Sequence, residues 1–301
     1  MHGVLVIDKP AGPTSHDVVA AVRRIVGVDR VGHTGTLDPL ATGVLPLVVG
    51  RATRLASFLS GVEKEYVAAI RFGADTATYD AERAPAPPPP AGIDEQAIAT
   101  LLLEFVGTYQ QLPPPFSAKK VAGTPAYKLA RQQKPVELKP VEVTVKSLEL
   151  QTYADGAARV RLVCSSGFYV RSLAHDLGDR LGCGAYLESL TRTRAGSFTL
   201  SDAVPLDVVV REGREAMARL IPVDRLLPEL PAIALSERGA RKASHGNALG
   251  PTDFIDTSAV ATWLEPGHAG AQLRLVDGAG VLLGIAEPTP AGLLHPVIVL
   301  V

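Results

Sequence analysis

The sequence predicts an α+β protein: a main domain over residues 1–228 with a mixed or antiparallel sheet and flanking helices, then a small β-rich unit over 229–301. Three observations lead there. Short apolar or alternating runs occur in both parts of the chain, helical spacings fall between them, and no internal repeat relates the segments. Residues 4–7 are an apolar run that reads as a strand. Thr14 or Ser15 then caps a helix with Val18, Val22, Ile25 and Val26 on its apolar face. Residues 30–42 have no periodicity and are rich in Gly, Thr and Pro, so they read as a loop. A strand over 44–49, a short helix over 53–59 and a strand over 65–72 follow. The proline-rich stretch 84–92 is an extended spacer or exposed loop rather than core. Asp94 caps a helix to Phe105, with Gly107 just past its end, and Pro125 opens a short helix to 133. Residues 141–150 and 159–164 alternate as paired strands. A helix over 168–181 carries Leu173, Leu177 and Leu181 and stops at Gly182, and a helical stretch over 205–220 ends the first domain. After a linker at 228–231, Ser236 caps a helix to His245. Residues 272–276 and 281–287 flank the turn Asp277-Gly278-Ala279-Gly280 as a hairpin, and 296–301 is a closing strand.

The bulk numbers narrow the function class. With 301 residues, 47% hydrophobic and 20% charged, the chain is long enough for a sizeable core. No run approaches the roughly 18 apolar residues of a membrane span. The first residues show neither a basic leader nor a cleavage site, which leads us to expect a cytoplasmic protein. Cys164 and Cys183 lack zinc-ligand spacing, and that compartment disfavours a disulfide. A net charge of −1 points away from nucleic acid. One stretch is locally basic, however. Between 117 and 146, Lys119, Lys120, Lys128, Arg131, Lys134, Lys139 and Lys146 face only Glu137 and Glu142, a balance of +5. Taken alone, such a cluster reads as a solvated loop.

The densest polar constellation is the 30–50 segment. Gly32, Gly35 and Gly43 permit tight turns and close approach to a ligand, and Pro39 biases Asp38 towards extended backbone. A carboxylate held this way is pre-organised for covalent or electrostatic work at an electron-poor carbon, although on composition alone an Asx-turn is the better account of a lone aspartate.

The string Gly32-His33-Thr34-Gly35-Thr36-Leu37-Asp38-Pro39-Leu40-Ala41-Thr42-Gly43 resembles the signature of the tRNA pseudouridine-55 synthases, the TruB family. The resemblance continues in order along the chain. Gly3-Val4-Leu5-Val6-Ile7-Asp8-Lys9-Pro10 is similar to the family's opening motif and Lys64-Glu65-Tyr66 to its Lys-x-Tyr motif. Ser165-Ser166-Gly167-Phe168-Tyr169-Val170-Arg171 is similar to its Gly-x-Tyr-[Ile/Val]-Arg motif, and Asp176-Leu177-Gly178 and Leu190-Thr191-Arg192-Thr193-Arg194 follow. The match is firm over about 3–200 and loose over 230–301.

The resemblance implies a pseudouridine-synthase sheet domain with an RNA-gripping insertion at about 111–146 and a PUA-like C-terminal domain. It implies conversion of the T-loop uridine of tRNA to pseudouridine after base flipping. The reaction breaks the C1′–N1 bond and joins C1′ to C5, with no oxidation and no entering group, so no cofactor and no metal is expected. Asp38 is implied as the catalytic carboxylate, acting at C1′ directly or by assisting elimination, with Arg171 paired to it. Tyr66 is implied to stack on the base and to help move a proton, Tyr169 and Leu190 to line the same pocket, and His33 to enter the RNA stack beside flipped nucleotides. The implied RNA contacts are Arg54, Lys119, Lys120, Lys128 and Arg131. The implied partner is the tRNA T-arm, with the C-terminal unit either touching the acceptor stem or only packing on the main domain. No membrane and no obligatory protein partner are implied, and a monomer is expected. Two alternatives stay open: a tRNA folding chaperone with secondary catalysis, and a guide-RNA-dependent pseudouridine synthase. A glycoside hydrolase is remote, because it needs two carboxylates flanking the bond and this loop has only Asp38.

Overall fold

The computed structural model describes residues 1–81, 87–117, 120–121, 124–125, 138–265, 267–268 and 270–301, the two short pieces at 120–125 by their backbone alone. Lys119, Lys128, Arg131 and all but the first residue of the helix expected at 125–133 lie outside them. In chain order the main-domain strands are β1 (Gly3–Lys9), β2 (Val31–His33), β3 (Thr42–Val49), β4 (Lys64–Phe72), β5 (Gly107–Gln111), β6 (Lys120–Val121) and β7 (Thr124–Pro125). They continue with β8 (Val141–Ala154), β9 (Ala157–Cys164), β10 (Ala185–Ala195), β11 (Phe198–Thr199), β12 (Val204–Pro205) and β13 (Ile221–Pro222). β14 (Ala232–Ala234), β15 (Leu273–Val276), β16 (Leu282–Pro288) and β17 (Leu294–Val299) belong to the C-terminal unit. The helices are α1 (Ser15–Val26), α2 (Ala56–Ser60), α3 (Glu95–Leu103), α4 (Val170–Arg180), α5 (Leu206–Glu212), α6 (Glu237–Ser244) and α7 (Thr257–Ala261).

One large mixed sheet runs β12-β1-β3-β10-β4-β9-β8-β5. β1 and β12 are parallel, as are β3 and β10, and the other neighbours along this path are antiparallel. β1 and β3 are buried on both faces. Leu5, Ile7, Leu45, Leu47 and Val49 belong to the core beneath the helices. Val4, Val6, Val44 and Val48 belong to a second core that Leu282, Ile285 and Leu300 of the C-terminal unit complete. Burial on both sides explains why residues 4–7 and 44–49 read as continuous apolar runs. β4 alternates instead: Tyr66, Ala68, Ile70 and Phe72 point into the helix-covered core, while Glu65, Val67, Ala69 and Arg71 are half-buried. Each fully buried Leu or Ile of the second core contributes on the order of 2 kcal/mol, so the small four-stranded sheet β14-β15-β16-β17 is packed against the main domain, not tethered to it.

Local chemistry sets the helix ends. Thr14 and Asp17 form a reciprocal capping box on α1, and Gly27, in a left-handed conformation, closes it. Asp94 accepts from Ala97 to start α3. The helix expected from 168 starts at Val170, because Gly167 turns with φ 84° and Tyr169 stays extended as its N-cap. The stretch 205–220 breaks after Glu212, where Gly213 adopts φ 64° and a 3₁₀ segment follows. Two further readings change: the 30–42 loop contains β2, paired to β3, and the closing strand begins at Leu294.

Candidate active site

The loop between β2 and β3 is fixed from several sides. The Ser15 hydroxyl donates to the Leu37 carbonyl (3.0 Å), and the Leu37 N–H donates back to it (2.8 Å). The Gly12 N–H reaches the Pro39 carbonyl (2.8 Å). Two buried cations hold the remaining carbonyls. Lys9 Nζ donates to Ala41 (2.6 Å), Pro10 (2.9 Å) and Pro39 (3.3 Å). Arg192, on β10, donates to Val44 (2.7 Å), Gly35 (3.1 Å) and Thr36 (3.5 Å). Gly43 makes the approach of β10 possible: its φ is 94°, and a Cβ there would lie 2.3 Å from the Arg192 carbonyl oxygen. Asp38 thus sits on a loop whose backbone polar groups are committed, which removes the reorganisation a mobile carboxylate would need.

Arg171, in the first turn of α4, is the hub. Its Nε lies 2.9 Å from Asp38 Oδ2, an ion pair by distance in which the N–H is not aligned on the oxygen. Nη1 contacts Asp80 Oδ2 (3.4 Å) and donates to the Thr78 carbonyl (3.1 Å), and Nη2 donates to the Phe116 carbonyl (2.9 Å). One guanidinium therefore lies between two carboxylates. Asp80 and Arg171 are buried, while 35% of the Asp38 side chain is open to the cleft. Protein encloses Asp38 on its other sides, and burial pushes its carboxyl above the ordinary range. Arg171 opposes this rise and Asp80 adds to it. Burial outweighs the cation.

Asp38 and Arg171 separate two cavities. The inner one, about 290 Å³, is lined among others by Lys64, Tyr66, Tyr169, Leu190 and Arg192. The outer one includes His16, His33, Thr78, Asp80 and Phe116. Tyr66 is buried, and burial pushes its phenol further above a value that is already about 10, so it is a neutral hydroxyl and a weak base. Burial likewise raises the Tyr169 phenol. The Tyr169 backbone is clamped by Gln111, whose side chain donates to its carbonyl (3.0 Å) and accepts from its N–H (2.9 Å). Burial lowers the His33 imidazole, with Arg192 and His16 adding to the effect. Its Nδ1 accepts from the Gly35 N–H (3.3 Å), which leaves the proton of the neutral ring on Nε2.

The fold thus gathers Asp38, Tyr66, Tyr169, Arg171 and Leu190 around one cavity and leaves His33 at the next. Arg54 lies apart: its Nη1 donates to the Val299 carbonyl of the C-terminal unit. Lys120 is described only through the β6 backbone. Sequence reading assigned no role to Lys9, Lys64, Asp80 or Arg192. The first, second and fourth stood within quoted motifs, but Asp80 lies in a stretch without periodicity, and only the packing of 75–80 against α4 brings it to Arg171. No group of three or more His, Cys, Asp or Glu side chains suited to a metal ion occurs among the described residues.

Comparison with known proteins agrees along the whole chain. Residues 23–170 match the N-terminal domain of the TruB family pseudouridylate synthases, and 171–228 match the tRNA pseudouridylate synthase B C-terminal domain. The tRNA pseudouridine synthase B of Solibacter usitatus (strain Ellin6076) is 42% identical over 305 residues, covering 100% of both chains. That of Thermobifida fusca (strain YX) is 43% identical, covering 99% of this chain and 98% of its own. Among solved structures, a chain of an H/ACA ribonucleoprotein bound to a substrate RNA containing 2′-deoxyuridine superposes with a TM-score of 0.72. It covers 99% of this chain and 85% of its own at 23% identity, a likeness of fold. With relatives above 40% identity along essentially their full length, the protein belongs to the TruB family of pseudouridylate synthases.

Proposed function

We propose that this pseudouridine synthase isomerises the T-loop uridine of tRNA, position 55, acting alone and with Asp38 as its catalytic carboxylate. The observation that carries the reading is the Asp38–Arg171 contact at the mouth of a cavity sized for a single nucleoside. A uridine inside the stacked tRNA elbow must be flipped out, at a cost of a few kcal/mol, before its C1′ can meet this carboxylate. The Tyr66 ring offers a stacking surface, Leu190 an apolar wall, and Tyr169 a polar group on a clamped backbone. Asp38 either bonds to C1′ or takes the 2′ proton, and both routes require it ionised. Arg171 supports the ionised form against the effect of burial. The neutral ring of His33, at the outer cavity, suits insertion into the vacancy in the RNA stack.

The basic stretch at 111–146 supplies phosphate contacts in this reading, so binding weakens as salt rises. Arg54 has less to offer RNA, since part of its guanidinium is bonded to Val299. The C-terminal unit shares a core with β1 and β3, and any acceptor-stem contact is made from that fixed position. A protein that surrounds one T-arm works as a monomer in the cytoplasm, where tRNA is.

The test is tritium release from a T-arm hairpin carrying [5-³H]uridine at position 55, with pure protein and no guide RNA. Release is expected, and none from Asp38→Asn. Release by the Asn variant would exclude Asp38. Inactivity of the wild type on the hairpin, with activity on another RNA, would exclude the T-loop assignment.

A further inference from the structure

The inner cavity holds more buried positive charge than its carboxylates balance. Its charged lining is Asp38, Lys64, Arg171 and Arg192. Arg171 is already shared between Asp38 and Asp80. Lys64 and Arg192 are both buried, and neither has a carboxylate within ion-pair distance among the described residues. The hydrogen-bond acceptors of Lys64 are the Ser60 (2.6 Å) and Val62 (2.7 Å) carbonyls. Those of Arg192 are the Val44, Gly35 and Thr36 carbonyls. The two cations flank one glycine of the Asp38 loop: a Cβ on Gly35 would lie 3.5 Å from Arg192 Nη1 and 3.8 Å from Lys64 Cε. Other groups nearby bring no counter-charge. Burial pushes the Cys164 thiol up to about 12 and raises the Tyr66 phenol, so both are neutral. Glu63, one residue away, is held by Lys146 and Arg194. Keeping a lysine charged in such a place costs several kcal/mol, and such costs persist where a site draws on them.

We propose that Lys64, with Arg192, stabilises the negative charge that the uracil carries once its bond to the ribose has opened. This rests on the function proposed above. When C1′–N1 breaks, its electron pair leaves on the base and spreads over N1, O2 and O4. C1′ is satisfied by an Asp38 oxygen, or by a double bond to C2′ as the 2′ proton passes to Asp38. After the base turns, the pair at C5 forms the C5–C1′ bond while the Asp38–C1′ bond breaks and its electrons return to the carboxylate or, on the elimination route, while the 2′ proton goes back from Asp38 to C2′. A proton then leaves C5 and one is added at N1. Between those steps the detached base is an anion in a water-poor cavity, where fixed cations act with little screening. The bland alternative is that Lys64 only caps the end of α2, whose last carbonyl it meets at Ser60.

Lys64 is the residue to test, because replacing Arg192 would release the Asp38 loop. Burial lowers the Lys64 ammonium to about 8, with Arg192 adding to the effect, so the two roles differ in pH dependence. For wild-type protein on the T-arm hairpin, kcat/KM is expected to fall as pH rises through about 8, since that ratio reports the free enzyme. Burial lowers Lys9, which holds the Asp38 loop, to about 8 as well. Lys64→Arg, charged throughout, should therefore make the fall shallower, and Lys64→Met should lower kcat by ~10²-fold, the order for losing one donor to a developing anion. A flat wild-type profile, or a limb that Lys64→Arg leaves unchanged in position and steepness, overturns the proposal. If wild type is active and only the profile is flat, the role of Lys64 alone falls; if wild type makes no pseudouridine in the hairpin, both readings fall.

Discussion

Replacing Arg171 with lysine keeps the charge and removes the fork. In the wild-type site one guanidinium reaches Asp38 through Nε, Asp80 and the Thr78 carbonyl through Nη1, and the Phe116 carbonyl through Nη2. A lysine ammonium is a compact point donor on a flexible stem and cannot serve all four acceptors from one position. Breaking a buried charge contact costs about 3–5 kcal/mol. A third of the Asp38 side chain is open to the cleft, which places the cost at the lower end, about 3 kcal/mol, or ~10²-fold in kcat/KM. The pH dependence follows from direction. Burial holds the Asp38 carboxyl above the ordinary range and Arg171 opposes it, so weakening Arg171 raises the carboxyl further. Under the proposed function, activity needs the carboxylate, which is present above its pKa and lost as pH falls through it. The acid limb of the variant therefore moves to higher pH. Folding itself is not weakened there by this group: a carboxyl raised in the folded state disfavours folding when ionised, so protonating it adds stability. Acid inactivation through Asp38 should accordingly reverse on return to neutral pH. The assay is the single-turnover rate of pseudouridine formation in a T-arm hairpin across pH, paired with thermal melts. An unmoved acid limb, or activity within about twofold of wild type, would refute the reasoning, since the predicted loss is ~10²-fold.

Three further outcomes are expected. Asp38→Asn removes a carboxylate that burial disfavours and leaves Arg171 paired to Asp80, so its melting temperature at neutral pH should be no lower than wild type while activity is lost; a fall of several degrees contradicts the burial argument. Gly43→Ala forces a side chain into a left-handed backbone 2.3 Å from the Arg192 carbonyl oxygen and should cost at least ~2 kcal/mol in urea unfolding, with an unchanged midpoint as the contrary result. Affinity for the T-arm should fall log-linearly with salt, and removing Lys128 and Arg131 together should flatten that slope by about two charges; an unchanged slope would place the phosphate contacts elsewhere.

The elements that were legible are those whose local pattern matches their surroundings. The Thr14–Asp17 box, the Asp94 cap, the alternation of β4 and the turn before β16 are short-range signals, and all appear in the structure. β10 was not read as a strand, although it lies at the centre of the sheet. Its register shifts between Leu187 and Ser189 and between Arg192 and Arg194, and each shift breaks the period of two on which such a reading depends. β5 is a short polar edge strand, Gly107-Thr108-Tyr109-Gln110-Gln111, and has too little apolar contrast to stand out. At the site, the motifs brought Asp38, Tyr66, Tyr169, Arg171 and Leu190 to attention, yet no pattern in them states a distance or a burial.

The sequence by itself determined the α+β class, most helix starts, the membership of a synthase family and the aspartate on which its chemistry is proposed to centre. These are local or inherited in short strings, and they survive without knowledge of what packs against them. Only the tertiary structure decided the electrostatics. Asp80 reaches Arg171 across 91 residues of chain, and Arg192 reaches Gly35 across 157. Lys9, Lys64 and Arg192 are ordinary cations in the sequence and become a buried, carbonyl-bound set because β1, β4 and β10 meet beneath one loop. A pKa depends on which groups share a low-dielectric space, and chain position does not carry that information.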